Sequence, residues 1–126
     1  MKPKKRADRV GERLRAELST LVLRGRLRDP RTRDLIVSRV SMSDDLQHAR
    51  VYVRILGEAD SRRQSGVVRA LAHAEGFLRR EVGPQLGLRR VPELHFFWDD
   101  EVDRVDRLER IFAEIRAEEA PKEDPA

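Results

Sequence analysis

The chain has 126 residues, 40% charged and 39% hydrophobic, with 27 Lys/Arg against 23 Asp/Glu for a net charge of +4. That length supports one domain with a modest core. It contains no cysteine, which excludes disulfides and thiolate metal sites, and no apolar run approaches the roughly 18 residues of a membrane span.

The charge is unevenly spread. Residues 1–16 carry seven Lys/Arg against two Asp/Glu, residues 17–98 carry 15 against 10, and residues 99–126 carry five against 11. A basic body with an acidic end points to a polyanionic partner, although solubility alone would also favour charge. The opening MKPKKRADRVGERLR is basic with no apolar core behind it, so no signal peptide is expected, and the expected location is the cytoplasm.

Residues 6–24 place Val10, Leu14, Leu18, Leu21 and Val22 at helical spacing, with Arg6, Arg9, Arg13 and Arg24 on one flank of the apolar arc. Gly25 suits a C-terminal cap, and Pro30 forbids a continued helix. Two extended runs follow, residues 35–42 and 49–56, joined through the turn signal Ser43-Asp44-Asp45. In the second run Ala49, Val51, Val53 and Ile55 alternate with Arg50, Tyr52 and Arg54. That is the pattern of an antiparallel sheet covered on one face only.

Asp60 or Ser61 suits the N-cap of a helix starting near Arg62, with the stripe Val67, Leu71, Ala74, Leu78 and Val82. Gly83-Pro84 and Gly87 interrupt that pattern, so a shortened or broken helix is expected there. Residues 93–99 read as a third strand with Pro92 at its start. A last acidic helix is expected over residues 102–117, with Val105, Leu108, Ile111, Phe112 and Ile115 as its apolar side. The polar, proline-containing end is expected to be disordered. The order is that of an α+β fold, with residues 1–118 as one domain and residues 119–126 as a tail.

Gly76 stands inside the helical stretch AHAEGFLRR, where glycine costs roughly 1 kcal/mol relative to alanine. On a continuous helix with Val67 at 0°, Gly76 falls at about 180°, and Arg62, Arg69, His73 and Arg80 at about 200–240°. Gly76 therefore lies on the solvent face among basic groups. There a missing side chain lets a phosphate backbone approach, and a kink would expose helix N–H groups to an anion. A plain bend that lets two helices cover the sheet fits these residues equally well.

Other chemistry is weaker. His48, His73 and His95 lie on three elements without an i,i+4 pair, so they read as unrelated and no metal site is expected. No nucleophile elbow or glycine-rich phosphate loop is present. Asp99-Asp100-Glu101 reads as a helix start satisfying its own dipole. Stacking of bases on Tyr52 with Phe97 or His95 ranks low, because only one tyrosine is available.

Helix, two strands, two helices, strand is the order of a type II KH domain. KH domains clamp nucleotides with a GXXG loop, and no two glycines here stand three apart. In that place stands Ala74-Glu75-Gly76, and this resembles the Ala-x-Gly helix-kink-helix of the ribosome-binding factor A family. The stretches RADRVGERLRAELSTLV, LIVSRVSMSDDLQHARVYVRILG and ALAHAEGFLRREVGPQLGLRRVPELHFFWDD resemble the family, as does the closing DRVDRLERIFAEI. The likeness spans residues 6–116.

The resemblance implies a single KH-like domain with a three-stranded sheet covered on one face by helices, plus a C-terminal helix. It implies a cytoplasmic, monomeric, non-enzymatic protein without cofactor. Its expected partners are 16S rRNA, free or immature 30S subunits and other late small-subunit assembly factors, with no membrane partner. The expected role is late processing and folding of the 5′ region and neck, above all in the cold. The candidate RNA contacts are Lys4, Lys5, Arg6, Arg9 and Arg13 on the first helix; Arg62, Arg69, His73, Ala74, Gly76, Arg79 and Arg80 around the kink; and Arg89 and Arg90 after it. A general DNA-binding protein is the competing class, which the basic body alone would allow.

Overall fold

A computed structural model describes residues 5–119, without the side chains of residues 102–104, 106 and 119. Lys4 and residues 120–126 of the expected tail lie outside the described residues. The elements run α1 (Arg6–Leu23), one 3-10 turn (Pro30–Thr32), β1 (Leu35–Met42), β2 (His48–Ile55), α2 (Ser61–His73), α3 (Glu75–Leu86), β3 (Glu93–Trp98) and α4 (Glu101–Glu119). The three strands form one sheet in the order β1-β2-β3.

The sheet is mixed, which corrects the antiparallel expectation: β1 runs antiparallel to β2, but β3 runs parallel to it. Reaching β3 requires a crossover, and α2 with α3 supplies it. The alternation in β2 is realised in full. Ala49, Val51 and Val53 have no solvent exposure. They meet Leu14, Leu18 and Leu21 of α1, Val67 and Leu71 of α2, Leu78 and Val82 of α3, and Leu94 and Phe96 of β3 in one core. Each fully buried Leu or Val contributes about 1.5–3 kcal/mol.

Two glycines set how closely helices approach this core. A Cβ on Gly11 of α1 would lie 3.0 Å from the Val40 carbonyl oxygen of β1. A Cβ on Gly83 of α3 would lie 2.6 Å from Val91 Cγ2. Gly83-Pro84 does not break α3, contrary to the expectation. Proline near the C-terminal end removes one hydrogen bond from a turn that is already ending, and Gly87 closes the helix in the left-handed region at φ 63°. Gly25 does the same for α1 (φ 67°), with Arg26 N–H donating to the Leu21 carbonyl and Gly25 N–H to the Val22 carbonyl.

β1 carries a bulge at Ser38, where the pairing passes from Val37–Val53 to Arg39–Tyr52. The extra residue changes the parity of the strand, so Leu35 and Val37 face the core before it and Val40 and Met42 after it. The Ser38 hydroxyl donates to Asp99 Oδ2 at 2.6 Å, and the Tyr52 carbonyl lies 3.0 Å from the same hydroxyl. Asp99 Oδ1 accepts the Glu101 N–H at 3.1 Å, so the carboxylate caps the start of α4 as the acidic run predicts. The apolar side of α4 covers no core: Val105, Leu108, Ile111, Phe112 and Ile115 are all exposed. The helix is present as its periodicity predicts, but it leaves the sheet beyond the end of β3.

The 26–34 connection is held by Asp29, which accepts the Arg31 backbone N–H at 2.9 Å and pairs with its guanidinium at 2.7 Å. Arg63 of α2 ties that connection down by donating to the Arg31 and Arg33 carbonyls. The Arg31 side-chain hydrogen bond holds the Asp29 carboxyl at about 2. Burial pushes the Asp99 carboxyl up, but the Ser38 hydroxyl, the Glu101 N–H and the charges of Arg39 and Arg54 outweigh it and hold it below the usual range.

Gly83→Ala should destabilise by about 1–3 kcal/mol, because Val91 is short and stiff and the added methyl forces α3 off its loop; a thermal melt reads this directly. Both carboxyls have depressed folded-state pKa values, so below about pH 4 the unfolded chain binds more protons than the native one. The stability they contribute is therefore complete above that pH and lost as pH falls through the folded values. Asp99→Asn should lower the melting temperature near neutrality by the equivalent of about 1–2 kcal/mol and flatten the decline on acidification.

Candidate nucleic-acid interface

The helical segment breaks at Ala74. It has φ −87° and ψ 0°, and it serves both as the C-cap of α2 and as the residue before α3. Its N–H closes α2 onto the Ala70 carbonyl at 3.1 Å, and its carbonyl accepts the first bond of α3, from Leu78, at 2.9 Å. The N–H groups of Glu75, Gly76 and Phe77 form the first turn of α3 and have no partner within that helix. Such a turn carries partial positive charge.

Gly76 itself is plainly helical and is absent from the residues with positive φ. A Cβ there would meet only Arg80 Nη1, at 3.7 Å. The glycine is therefore required neither by the backbone conformation nor by packing. It sits in the floor of an open cleft of about 620 Å³ lined by Gln47, His48, Gly76, Arg79, Arg80, Arg90, Val91 and Glu93. Gln47 and Arg90 also line an adjoining cleft of about 380 Å³ with Arg6, Asp45, Leu46, Leu88 and Arg89. Together these make one groove, running from the first turn of α3 to the start of α1.

The groove gathers Arg6, Gly76, Arg79, Arg80, Arg89 and Arg90 from the expected contacts. The break separates Arg62, Arg69 and His73 from them. A continuous helix would put Arg62, Arg69 and His73 beside Gly76, but the helix breaks at Ala74 and they line other clefts. Arg62 and Arg69 instead line a second basic cleft with Arg31 and Arg63, and His73 and Ala74 line a third with Arg26 and Arg28. Lys5 and Arg9 are exposed at the start of α1. Arg13 is paired with Glu17 at 3.3 Å, one turn on.

Arg79 has a structural task. Its Nη2 donates to the Val91 carbonyl at 2.9 Å, and its Nε lies 3.6 Å from Glu75 Oε1. Glu75 in turn accepts the Leu94 N–H at 3.1 Å. These contacts fasten the first turns of α3 to the loop and strand that carry Arg89 and Arg90. Neither Glu75 in this role nor Gln47 in the groove is legible in the sequence, because both depend on contacts distant along the chain.

The turn beside the groove is locally determined. Asp45 Oδ1 accepts the Ser43 hydroxyl at 2.6 Å and the Gln47 N–H at 3.0 Å. The Ser43 hydroxyl bond, followed by the Gln47 N–H, holds the Asp45 carboxyl below its ordinary value. This fixes Gln47 and His48 at the groove edge, and Leu46 takes the left-handed conformation at φ 61°.

On the open face of the sheet Tyr52 lies between Arg39, 3.9 Å from its ring centroid, and Phe97, with ring centroids 5.6 Å apart. The tyrosine ring is thus engaged by its neighbours rather than presented as a free platform. The histidines require a correction. Parallel pairing of β2 with β3 brings His48 and His95 together, with Nδ1 and Nε2 3.2 Å apart, so these two are not unrelated. His73 remains apart on α2.

The topology and the helix break define the class: a KH-like domain of type II in which an Ala-x-Gly break stands where other members have a GXXG loop. The family model for ribosome-binding factor A matches residues 6–112. Ribosome-binding factor A of Sorangium cellulosum is 48% identical over 113 residues, covering 89% of this chain and 90% of its own. That of Chromohalobacter salexigens is 40% identical over 119 residues, covering 94% and 90%. The crystal structure of ribosome-binding factor A from Thermus thermophilus superposes with a TM-score of 0.61 at 28% identity, covering 72% of this chain and 93% of that one. A Thermus thermophilus homology model fitted into a cryo-EM map of its complex with the 30S subunit superposes with a TM-score of 0.59 at 29% identity, covering 77% and 96%. The chain belongs to the ribosome-binding factor A family.

Because Gly76 is helical with open space around it, Gly76→Ala should raise stability by up to about 1 kcal/mol. A melting temperature equal to or below that of wild type would show that the glycine has a conformational task in α3.

Proposed function

We propose that this protein is a non-enzymatic assembly factor of the small ribosomal subunit, and that it binds the 16S rRNA of immature 30S particles. The observation that carries the reading is the cleft in which side-chain-free Gly76, at the start of α3, lies with Arg80 and Arg90, continued by Arg89 and Arg6 in the adjoining cleft. A phosphate backbone can reach the helix N–H groups at Gly76 while the arginines neutralise neighbouring phosphates. The Thermus thermophilus relative fitted into a map of a 30S complex supports the choice of partner.

On this reading residues 1–118 act as one RNA-binding unit. Arg80, Arg89 and Arg90 are the principal contacts, Lys4, Lys5, Arg6 and Arg9 extend them along the start of α1, and Arg62 and Arg69 form a separate contact on α2. Arg79 acts by positioning α3. The protein works as a monomer in the cytoplasm, on late maturation of the 5′ region and neck, with its greatest effect in the cold. Other late assembly factors are further partners.

The test is binding to particles carrying immature 16S rRNA, with duplex DNA as the competitor. Gly76→Glu places bulk and negative charge in the groove and should weaken particle binding far more than Gln85→Glu, an equal charge change elsewhere on α3. Melts must show both variants folded. A folded Gly76→Glu that binds like wild type would remove the groove from the mechanism. Binding should also fall with log salt at a slope of about −0.7 to −0.9 per neutralised phosphate, and Arg90→Ala should reduce that slope by about 1. Equal preference for duplex DNA would favour the general nucleic-acid class.

A further inference from the structure

His48 opens β2 and Glu93 opens β3, with His95 two residues further on. In the parallel register His48 pairs with Glu93 and Arg50 with His95, and alternation sends all three side chains out of the same open face. Their donor atoms converge. His48 Nδ1 lies 3.2 Å from His95 Nε2, and Glu93 Oε2 lies 3.4 Å from the first and 3.6 Å from the second.

Zinc bonds imidazole nitrogen and carboxylate oxygen at about 2.0–2.2 Å in tetrahedral geometry, which places neighbouring donors roughly 3.3 Å apart. The three separations bracket that value. A point just above the centre of their triangle lies about 2.1 Å from all three donors, at bonding distance for zinc and with one side left for a further ligand. A hydrogen bond between the imidazoles would account for the 3.2 Å contact alone. Ion pairing of Glu93 with either imidazole would account for one further contact, whereas a shared metal accounts for all three separations at once.

We propose that His48, Glu93 and His95 form a divalent transition-metal site of the zinc class, with a further coordination position open to solvent. Two imidazoles and one carboxylate suit Zn²⁺, Co²⁺ or Ni²⁺, whereas Mg²⁺ and Ca²⁺ prefer all-oxygen sets. Arg50 shares this face through its pairing with His95, and Arg80 and Arg90 line the cleft that His48 and Glu93 border. These cations oppose a divalent ion, so the metal is held reversibly and is not a folding element. The site is read from the donor geometry alone and does not depend on RNA binding.

The test uses full-length protein without a histidine tag, titrated with Zn²⁺ by calorimetry and with Co²⁺ by visible absorption. The expected result is saturable binding of one equivalent, with the Co²⁺ spectrum of a low-coordinate nitrogen and oxygen site and with loss of binding on acidification as the imidazoles protonate. His48→Ala, His95→Ala and Glu93→Gln should each weaken binding by about tenfold or more, with unchanged melting temperatures and with Glu58→Gln like wild type. Absence of saturable binding by the wild-type protein, or undiminished binding by the folded His48→Ala and His95→Ala variants, would overturn the proposal.

Discussion

The structure depends on the dry face of β2. That strand is paired on both edges, so its backbone groups are satisfied within the sheet, and its inward side chains are fully shielded. Shielding demands three helices at close range, since a three-stranded sheet cannot cover itself. Close range in turn demands glycine where helix meets sheet or loop: Gly11 against the Val40 carbonyl, and Gly83 against Val91. One position lies against β1 and the other against the loop before β3, and both serve the same constraint.

Covering the sheet with both α2 and α3 requires a change of direction between them, and the break at Ala74 provides it. The same break presents the first turn of α3 outward. The break that lets α2 and α3 shield Val67 and Leu78 also places Gly76 at the groove. From the residues alone, a phosphate-approach site and a plain bend stood as alternatives. The structure shows that the bend belongs to Ala74, while Gly76 is an ordinary helical residue facing a basic groove. The Glu75 and Arg79 contacts to Leu94 and Val91 then hold the groove walls together.

The other face of the sheet is wet and polar, yet it is organised. Arg39, Tyr52 and Phe97 run across the three strands as one stacked row, anchored beneath by the Ser38–Asp99 bond. Toward the start of β2 and β3 the same face carries the two histidines and Glu93. Asp99 links the bulge in β1 to the beginning of α4, so the irregularity in one edge strand also determines where the last helix starts.

The sequence by itself determined the elements and most of the core, because hydrophobic period and capping are local. The alternation of Ala49, Val51, Val53 and Ile55 can be satisfied only by a half-buried strand. The stripe of Leu14, Leu18 and Leu21 fits only a helix against it, and Asp60 and Gly25 mark helix ends through side chain or backbone freedom. The family was legible for the same reason, since its features lie in contiguous stretches. What tertiary structure alone decided involves residues far apart in the chain. Periodicity does not carry strand direction, so the parallel β3 and the meeting of His48 with His95 could not be read. Pro84 looked like a breaker because its rule is local, yet the turn it enters is already ending. The angular placement of Arg62, Arg69 and His73 beside Gly76 assumed an unbroken helix. Once Ala74 reorients α3 to cover the sheet, the groove is completed instead by Gln47, Arg89, Arg90 and Arg6, which only the packed core brings together.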